Sequence, residues 1–498
     1  MMRPMDPVDE LRLLLISRHQ LVIARVDDEE RFMTYLRTAA AGAGAPLWTW
    51  SATRGLGRDG MDPQPNTQSV TTAIAFAASI RSPGVFVFHD VTAALGDPVA
   101  VRAVKEQALD ASEGQTFVLT GPSIAVPDEL RGLALLWRLE APSSQEIERL
   151  VRETLDELRT RHLAGVSLTP ERTRELEDSL RGLSLAEAQR LILRAGLEDG
   201  RLDDDDLPHV RQAKAELLAE DGVLTIVPTE EGGLDRVGGL DRLKTWLATR
   251  GRGFGPDAEA YGLDAPRGVL LIGVPGCGKS LVAKTLARSW GMPLVHFDPG
   301  AIFQAFVGES ESRLRRALEA LEAMAPVVVW IDEIEKGFAA SASARDSGVG
   351  MRVLGGFLHW LQERHGDVFL VATCNDVHGL PPELLRRGRF DETFFVDLPD
   401  PKEREAVLRL QLERRRRDPS RFDVAGLAAA TEGFSGSELE GVVVGGLYRA
   451  FAADRELDDA SMLEEARTSV PLSRSRAEDL DALRRWSRGR AVPASSPR

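Results

Sequence analysis

Between an apolar run, Val269-Leu-Leu-Ile272, and a helical pattern from Leu281 to Trp290 stands Gly273-Val-Pro275-Gly276-Cys277-Gly278-Lys279-Ser280. Glycines at this spacing, closed by Lys and Ser and leading straight from a strand into a helix, make a loop whose backbone N–H groups and helix N-terminus cradle phosphate. Such a loop belongs in a parallel sheet covered by helices on both faces. The neighbouring runs meet that demand. Leu294-Val-His-Phe297, Val327-Val-Val-Trp-Ile331, Phe369-Leu-Val-Ala372 and Phe394-Phe-Val396 are short, apolar and separated by segments of helical periodicity. An α/β core follows, and after Pro401 the pattern turns helical through 403–417 and 436–451.

Chemistry is concentrated at the strand ends. Lys279 is placed to reach the β and γ phosphates of a nucleotide, and the Ser280 hydroxyl to ligate Mg²⁺. The run 327–331 ends in Asp332-Glu333. One carboxylate, Asp332, suits the metal shell, and the other, Glu333, suits the base that takes the proton of an attacking water. Thr373-Cys374-Asn375 ends a further strand with a short amide fit to orient that water. Together these residues suit hydrolysis of ATP.

A weaker copy of the pattern lies upstream. Gly44-Ala-Pro-Leu-Trp48 parallels Gly291-Met-Pro-Leu-Val295, and Val85-Phe-Val-Phe-His-Asp90 parallels Val328-Val-Trp-Ile-Asp-Glu333. Val126-Pro-Asp-Glu-Leu130 parallels Leu380-Pro-Pro-Glu-Leu384, and Gly182-Leu-Ser parallels Gly433-Phe-Ser; the four offsets are 247, 243, 254 and 251 residues. Four matches in one order at nearly constant offset indicate duplication. At the upstream loop position stands Arg25-Val-Asp27-Asp28-Glu29-Glu30, four acids where phosphate would sit, and no Lys. That half is expected to bind no ATP.

The 62 Lys+Arg against 77 Asp+Glu leave a net charge of −15, which sets nucleic acid aside as a default partner. The run Arg414–Arg417 reads as a solvated helix face. Two cysteines, Cys277 and Cys374, are too few for a disulfide framework and fit the reducing cytoplasm. No stretch reaches the ~18 apolar residues of a membrane span. None of the eight histidines forms His-Glu-x-x-His, the zinc protease signature.

Over residues 234–450 the constellation resembles the classical clade of AAA+ ATPases. The resemblance implies a parallel-sheet P-loop NTPase core with a helical lid, ATP and Mg²⁺ as ligands, and assembly as a homo-oligomer, a hexamer by preference. Glu383-Leu-Leu-Arg386-Arg387-Gly-Arg389-Phe-Asp391 is similar to the clade's arginine-finger box. By that match Arg386 and Arg389 reach a neighbouring subunit's ATP; Arg387 replaces the usual proline, which leaves open which arginine dominates. Gly433-Phe-Ser-Gly436-Ser437 resembles the lid motif beside the adenine, and Val237-Gly-Gly239 the segment on its other side; Leu281 completes the loop's first helical turn. Phe306-Val307-Gly308 is similar to the first pore loop, which grips a polypeptide, with a buried Phe at the base of the next helix as the competing reading. Segment 341–348 falls where a second pore loop would stand.

The whole chain resembles the AAA proteins of hypothetical chloroplast reading frame forty-six, which pair a degenerate AAA-like half with an intact one. The resulting organisation is a degenerate α/β domain at 1–145, a helical lid-like subdomain at 146–222, a linker at 223–233, the ATPase core at 234–402, a lid at 403–470, and a C-terminal helix with a loose tail at 471–498. Two roles remain open: a remodeller that pulls on a protein partner, or a switch whose nucleotide state controls docking on the first half.

Overall fold

The computed structural model describes residues 6–496, apart from 112–113, 123, 125, 162, 220–221, 229–231, 303–309, 340–346, 365 and 387. Phe306, Val307 and Gly308, Arg387 and most of segment 341–348 therefore lie outside the described residues. The chain divides into two compact units, Met1–Pro142 and Ser143–Arg498.

The first unit is one six-stranded sheet: β1 (Leu21–Arg25), β2 (Leu47–Ser51), β3 (Gly55–Arg58), β4 (Gly84–Phe88), β5 (Gln115–Gly121) and β6 (Ala134–Arg138), in the order β3-β2-β4-β5-β1-β6. All pairs are parallel except β2 with β3. Alternate side chains feed two cores: Leu21, Ile23, Phe86 and Phe88 on one face, Val22, Ala24, Val85 and Val87 on the other. That division is the reason the strands read as continuous apolar runs.

The second unit begins with four helices, Ser144–Thr160, Pro170–Ser179, Leu185–Glu198 and Leu207–Leu218, and a two-strand pair β7 (Gly165–Val166) and β8 (Arg201–Leu202). Its main sheet contains β9 (Leu224–Val227), β10 (Gly268–Gly273), β11 (Leu294–Phe297), β12 (Val327–Ile331), β13 (Val368–Cys374), β14 (Glu392–Val396) and β15 (Val492–Pro493), in the order β15-β14-β10-β13-β12-β11-β9. The five strands β14-β10-β13-β12-β11 repeat the order β6-β1-β5-β4-β2 of the first unit. Each sheet also ends in an antiparallel edge strand, β9 on β11 and β3 on β2.

Backbone detail follows the same repeat. Asp90 and Glu333, each just after the third repeat strand, both adopt left-handed φ, 52° and 45°. Gly182 and Gly433 do so as well, at 87° and 80°, and each precedes a capping-box serine, Ser184 with Glu187 and Ser435 with Glu438.

Two expected boundaries change. Residues 224–227, placed in a linker, form β9, because the edge of β11 accepts another ladder. The C-terminal stretch is not a loose tail. Val492 and Pro493 pair with Phe394 and Phe395, and Ala494 is 1% exposed within the core. A Pro-containing strand of two residues suits a sheet edge, where one side of the ladder is free, and it carries no apolar run to announce itself.

The four-helix segment docks on the second sheet domain. Arg211 donates to Gly291 O at 3.2 Å, and the buried Lys214 to Ala325 O at 3.3 Å. Gly182 meets Ala323 so closely that a Cβ would stand 2.9 Å from its Cα.

Candidate functional site

The central strand β10 delivers its loop to the carboxyl edge of the sheet, between β13 and β14, the position at which open α/β sheets bind ligands. The turn requires its glycines. Gly276 and Gly278 take φ of 74° and 85°, and a Cβ on Gly276 would collide with Ser437 Oγ. Helix Lys279–Trp290 then starts with no side-chain cap, so its first N–H groups are directed at the loop.

Lys279 is 5% exposed and donates to Gly273 O at 2.9 Å and Val274 O at 2.7 Å. Burial lowers its ammonium to about 8. The same desolvation raises the Cys277 thiol to about 11 and pushes Cys374 up as well; both are therefore neutral thiols, and packing, not redox reactivity, accounts for them.

Ser280 Oγ donates to Asp332 Oδ1 at 2.9 Å, and Thr373 Oγ1 donates to the same oxygen at 2.6 Å. Thr373 Oγ1 also accepts the Glu333 N–H at 2.9 Å, holding Glu333 in its left-handed conformation. The Glu333 carboxylate accepts from Asn375 Nδ2 at 2.8 Å and Lys336 Nζ at 2.6 Å. Its pKa is lowered, first by Lys336 and, after the opposing effect of burial, by Asn375. Asn375 Oδ1 is buried and has no hydrogen-bond partner among the described residues. The strand-end turn is fixed by Glu335 Oε1, which accepts Asn375 N–H at 2.9 Å and Asp376 N–H at 3.3 Å.

These groups open onto one cleft of about 370 Å³. Gly276, Cys277, Gly278, Lys279, Ser280, Leu281, Asp332, Glu333, Asn375, Gly436 and Ser437, all marked from sequence, line it. Gly239, Gly273 and Pro275 do not. Gly239 instead lies against the Glu403 side chain, and the Gly273 carbonyl holds Lys279. The lid is fastened to the loop by Ser437 N–H on Gly276 O at 2.9 Å.

Sequence reasoning gave no role to Thr373, Asp397, Glu403, Gln411, Arg414 and Glu440, which also line the cleft. Of the run 414–417, read as a solvated helix face, Arg414 and Arg416 are exposed, but the helix ends at Arg414; Arg414 also lines the cleft, and Arg415 pairs with Glu440 at 2.7 Å. Glu440, the partner of Arg415, comes from a helix 25 positions later, out of reach of a local reading.

Ser280 and Asp332 offer a close oxygen pair beside the phosphate loop. This fits Mg²⁺, which takes one or two protein oxygens and completes its shell with phosphate and water. Among the described residues no group of three or more His, Cys, Asp and Glu forms a metal site independent of a nucleotide. Arg386 is exposed and Arg389 half-buried, donating to Glu383 O; neither lines this cleft.

The corresponding position of the first unit lacks this chemistry. The Asp28 carboxylate caps helix Glu29–Ala43, accepting Arg31 N–H at 3.0 Å, so the helix end that would receive phosphate already holds an anion. His89, standing where the second unit has Asp332, faces Glu29 at 3.5 Å.

Residues 269–398 match the model of the ATPase family associated with various cellular activities (AAA). Residues 7–139 match the N-terminal domain of SpoVK-like AAA ATPases, and 145–221 their second domain. The uncharacterized AAA domain-containing protein ycf46 of Pyropia yezoensis is 31% identical over 497 residues, covering 99% of this chain and 100% of the relative. That of Guillardia theta is 31% identical over 489 residues, 97% and 95% of the two chains. The ATP-dependent zinc metalloprotease FtsH 4 of Sphaerobacter thermophilus is 34% identical over 228 residues, only 44% of this chain and 34% of the relative. Identity of 31% over nearly the full length of both chains, with the match of residues 269–398 to the AAA model, leads to one assignment: the chain belongs to the family of AAA domain-containing proteins ycf46, within the AAA ATPases.

Proposed function

We propose that the protein hydrolyses ATP to ADP and phosphate with Mg²⁺ at the cleft above β10, and that it works in the cytoplasm as a homo-hexamer on a protein partner. The observation that carries the reading is the convergence of Lys279, Ser280, Asp332, Glu333 and Asn375 on one cleft at the head of an uncapped helix. Bound Mg²⁺ would supply charge neutralisation at the β and γ phosphates, held through Ser280 and Asp332. Lys279 exchanges its carbonyl partners for phosphate oxygens, and the helix N-terminus adds its partial positive charge. Glu333, with its lowered pKa, is ionised at neutral pH and accepts the proton of the attacking water. Asn375 presents its unpartnered Oδ1 to the same region and holds Glu333 through Nδ2. Arg386 and Arg389, outside their own subunit's cleft, act on a neighbour's nucleotide.

Fluorescent mant-ATP binding with Mg²⁺, followed by phosphate release across protein concentrations, tests the proposal. Saturable binding and turnover that rises with assembly support it. Absence of binding at every concentration removes it.

The remodeller reading rests on Phe306-Val307-Gly308, and the switch reading is favoured by the first unit, which keeps the fold without the phosphate loop. Co-purification of partners with the Glu333→Gln form in ATP identifies what is acted on. A Phe306→Ala chain that hydrolyses ATP but no longer processes that partner supports pulling; unchanged processing supports the switch.

A further inference from the structure

The C-terminal segment, which sequence alone presents as a tail, reaches two acidic residues of the cleft. Arg484, on the helix Ala477–Ser487, makes a two-pronged contact with Asp397, Nε at 2.9 Å from Oδ2 and Nη2 at 2.9 Å from Oδ1. Beyond it, Val492 and Pro493 extend the sheet on β14, and Ala494 bridges two elements. Its N–H donates to Phe395 O at 2.9 Å, and its carbonyl accepts Leu243 N–H at 3.0 Å, in the first turn of the helix Asp241–Arg250, which has no side-chain cap. Ser495 Oγ then donates to Glu403 Oε1 at 2.5 Å.

Asp397 and Glu403 flank the passage from the sheet into the lid, Asp397-Leu-Pro-Asp400-Pro401-Lys-Glu403. Glu403 Oε1 also accepts Leu240 N–H at 3.0 Å, and its Oε2 accepts Asp400 N–H at 3.0 Å in the capping box of the helix Pro401–Arg414. One carboxylate thus ties three pieces together: the segment Val237–Leu240, the first lid helix, and the chain terminus. Val237, Gly238, Leu240, Val407 and Gln411, on the segment 237–240 and the first lid helix, line the same cleft as Lys279, and they are the walls assigned to the nucleoside. Leu240 itself is held at a left-handed φ of 57°, a conformation that a branched residue keeps only where its surroundings enforce it.

We infer that the C-terminal segment is a brace for the nucleoside end of the cleft, with Arg484 and Ser495 as positioning residues that act through Asp397 and Glu403. The inference rests on the ATP-binding reading of the cleft and assigns to this chain's own terminus a part in recognising the nucleoside, separate from phosphate capture by residues 273–280. Two contacts of the segment reach side chains that line the cleft, Asp397 and Glu403, and two more, through Ala494, anchor it to the main chain at Phe395 and Leu243. Losing the brace frees the segment 237–240 and the first lid helix to move apart, so ATP must bind at the cost of ordering them. The phosphate loop is held by β10, by Ser437 N–H on Gly276 O and by Val396 O, which accepts Val274 N–H at 2.9 Å; none of these hydrogen bonds comes from the terminus itself.

The test uses the full chain, the double variant Arg484→Ala/Ser495→Ala, the single variant Arg484→Lys, and a chain ending at Arg490, each checked for native circular dichroism. Affinity is measured for mant-ATP and, by calorimetry, for inorganic tripolyphosphate, both with Mg²⁺. The brace predicts mant-ATP binding weakened about tenfold in the double variant and in the shortened chain, the size of one lost hydrogen bond to a charged group. Arg484→Lys, which keeps the charge without the two-pronged geometry, falls between. Tripolyphosphate affinity stays within about twofold in all of them. Unchanged mant-ATP affinity in the double variant overturns the inference, and so does a parallel loss of tripolyphosphate, which would mean the whole cleft had collapsed. A wild-type chain that binds tripolyphosphate but not mant-ATP defeats the nucleotide reading itself, and the brace with it.

Discussion

Lys279, Glu333 and Asn375 stand in environments that sequence spacing only partly conveys. The ammonium of Lys279 is lowered to about 8 by burial, so at pH 8.5 a sizeable fraction is neutral. Phosphate placed beside it favours the charged form, and ATP binding at that pH should take up protons. Calorimetry in two buffers of different ionisation enthalpy reads this uptake, and Lys279→Met should abolish it along with most of the affinity. Glu333 is held low chiefly by Lys336, an exposed cation whose removal leaves the carboxylate with less stabilisation of its charge. Lys336→Ala should therefore raise the Glu333 pKa and move the acid limb of the pH–rate profile to higher pH; an unmoved limb would show that another group sets it. The spacing of 53 positions from Lys279 to Asp332 made the phosphate loop and the acids legible. Glu403 and Asp397 were not, because their importance comes from partners 163 and 87 positions away.

The elements show the same division between local and long-range information. Strands β10 to β14 announced themselves as apolar runs because both faces of the sheet are covered, and the capping boxes at Ser184 and Ser435 were written in adjacent residues. The terminal strand β15 and the edge strand β9 had no such signal, since two to four residues at an edge form only against a partner already in place. Docking of the four-helix segment is equally non-local. Gly182→Ala adds a Cβ 2.8 Å from that of Ala323 at a left-handed φ, and should destabilise the second unit by about 1–3 kcal/mol in a urea titration. Lys214 at the same contact has its pKa lowered from 10.5 to about 7 by burial, with Arg211 and Arg181 adding to the effect. The unfolded chain thus binds more protons between pH 7 and 10.5, and stability from this group rises across that window, its cost being fully present below pH 7. Between pH 7 and 9, Lys214→Met should flatten the increase; an identical slope in the variant would place the titration elsewhere.

At the scale of the whole molecule, two sheets of one strand order carry opposite chemistry. The first has filled its helix end with the Asp28 carboxylate, while the second leaves the start of its helix Lys279–Trp290 without a side-chain cap. On the proposed reading, turnover belongs to the second unit. If Arg386 and Arg389 act across a subunit boundary, a chain with both changed to Ala and a Lys279→Ala chain should each be inactive alone yet recover turnover when mixed, in assemblies that mass photometry counts as six copies. Activity equal to the sum of the separate chains would place those arginines outside the reaction. The central claim, that ATP is hydrolysed at the cleft above β10, is tested most directly by measuring ATP binding and phosphate release together on wild type, Lys279→Ala and Glu333→Gln. Wild type should do both, Lys279→Ala neither, and Glu333→Gln should bind ATP with release reduced at least about a hundredfold, the scale of a lost general base. Equal release from all three chains would contradict the account.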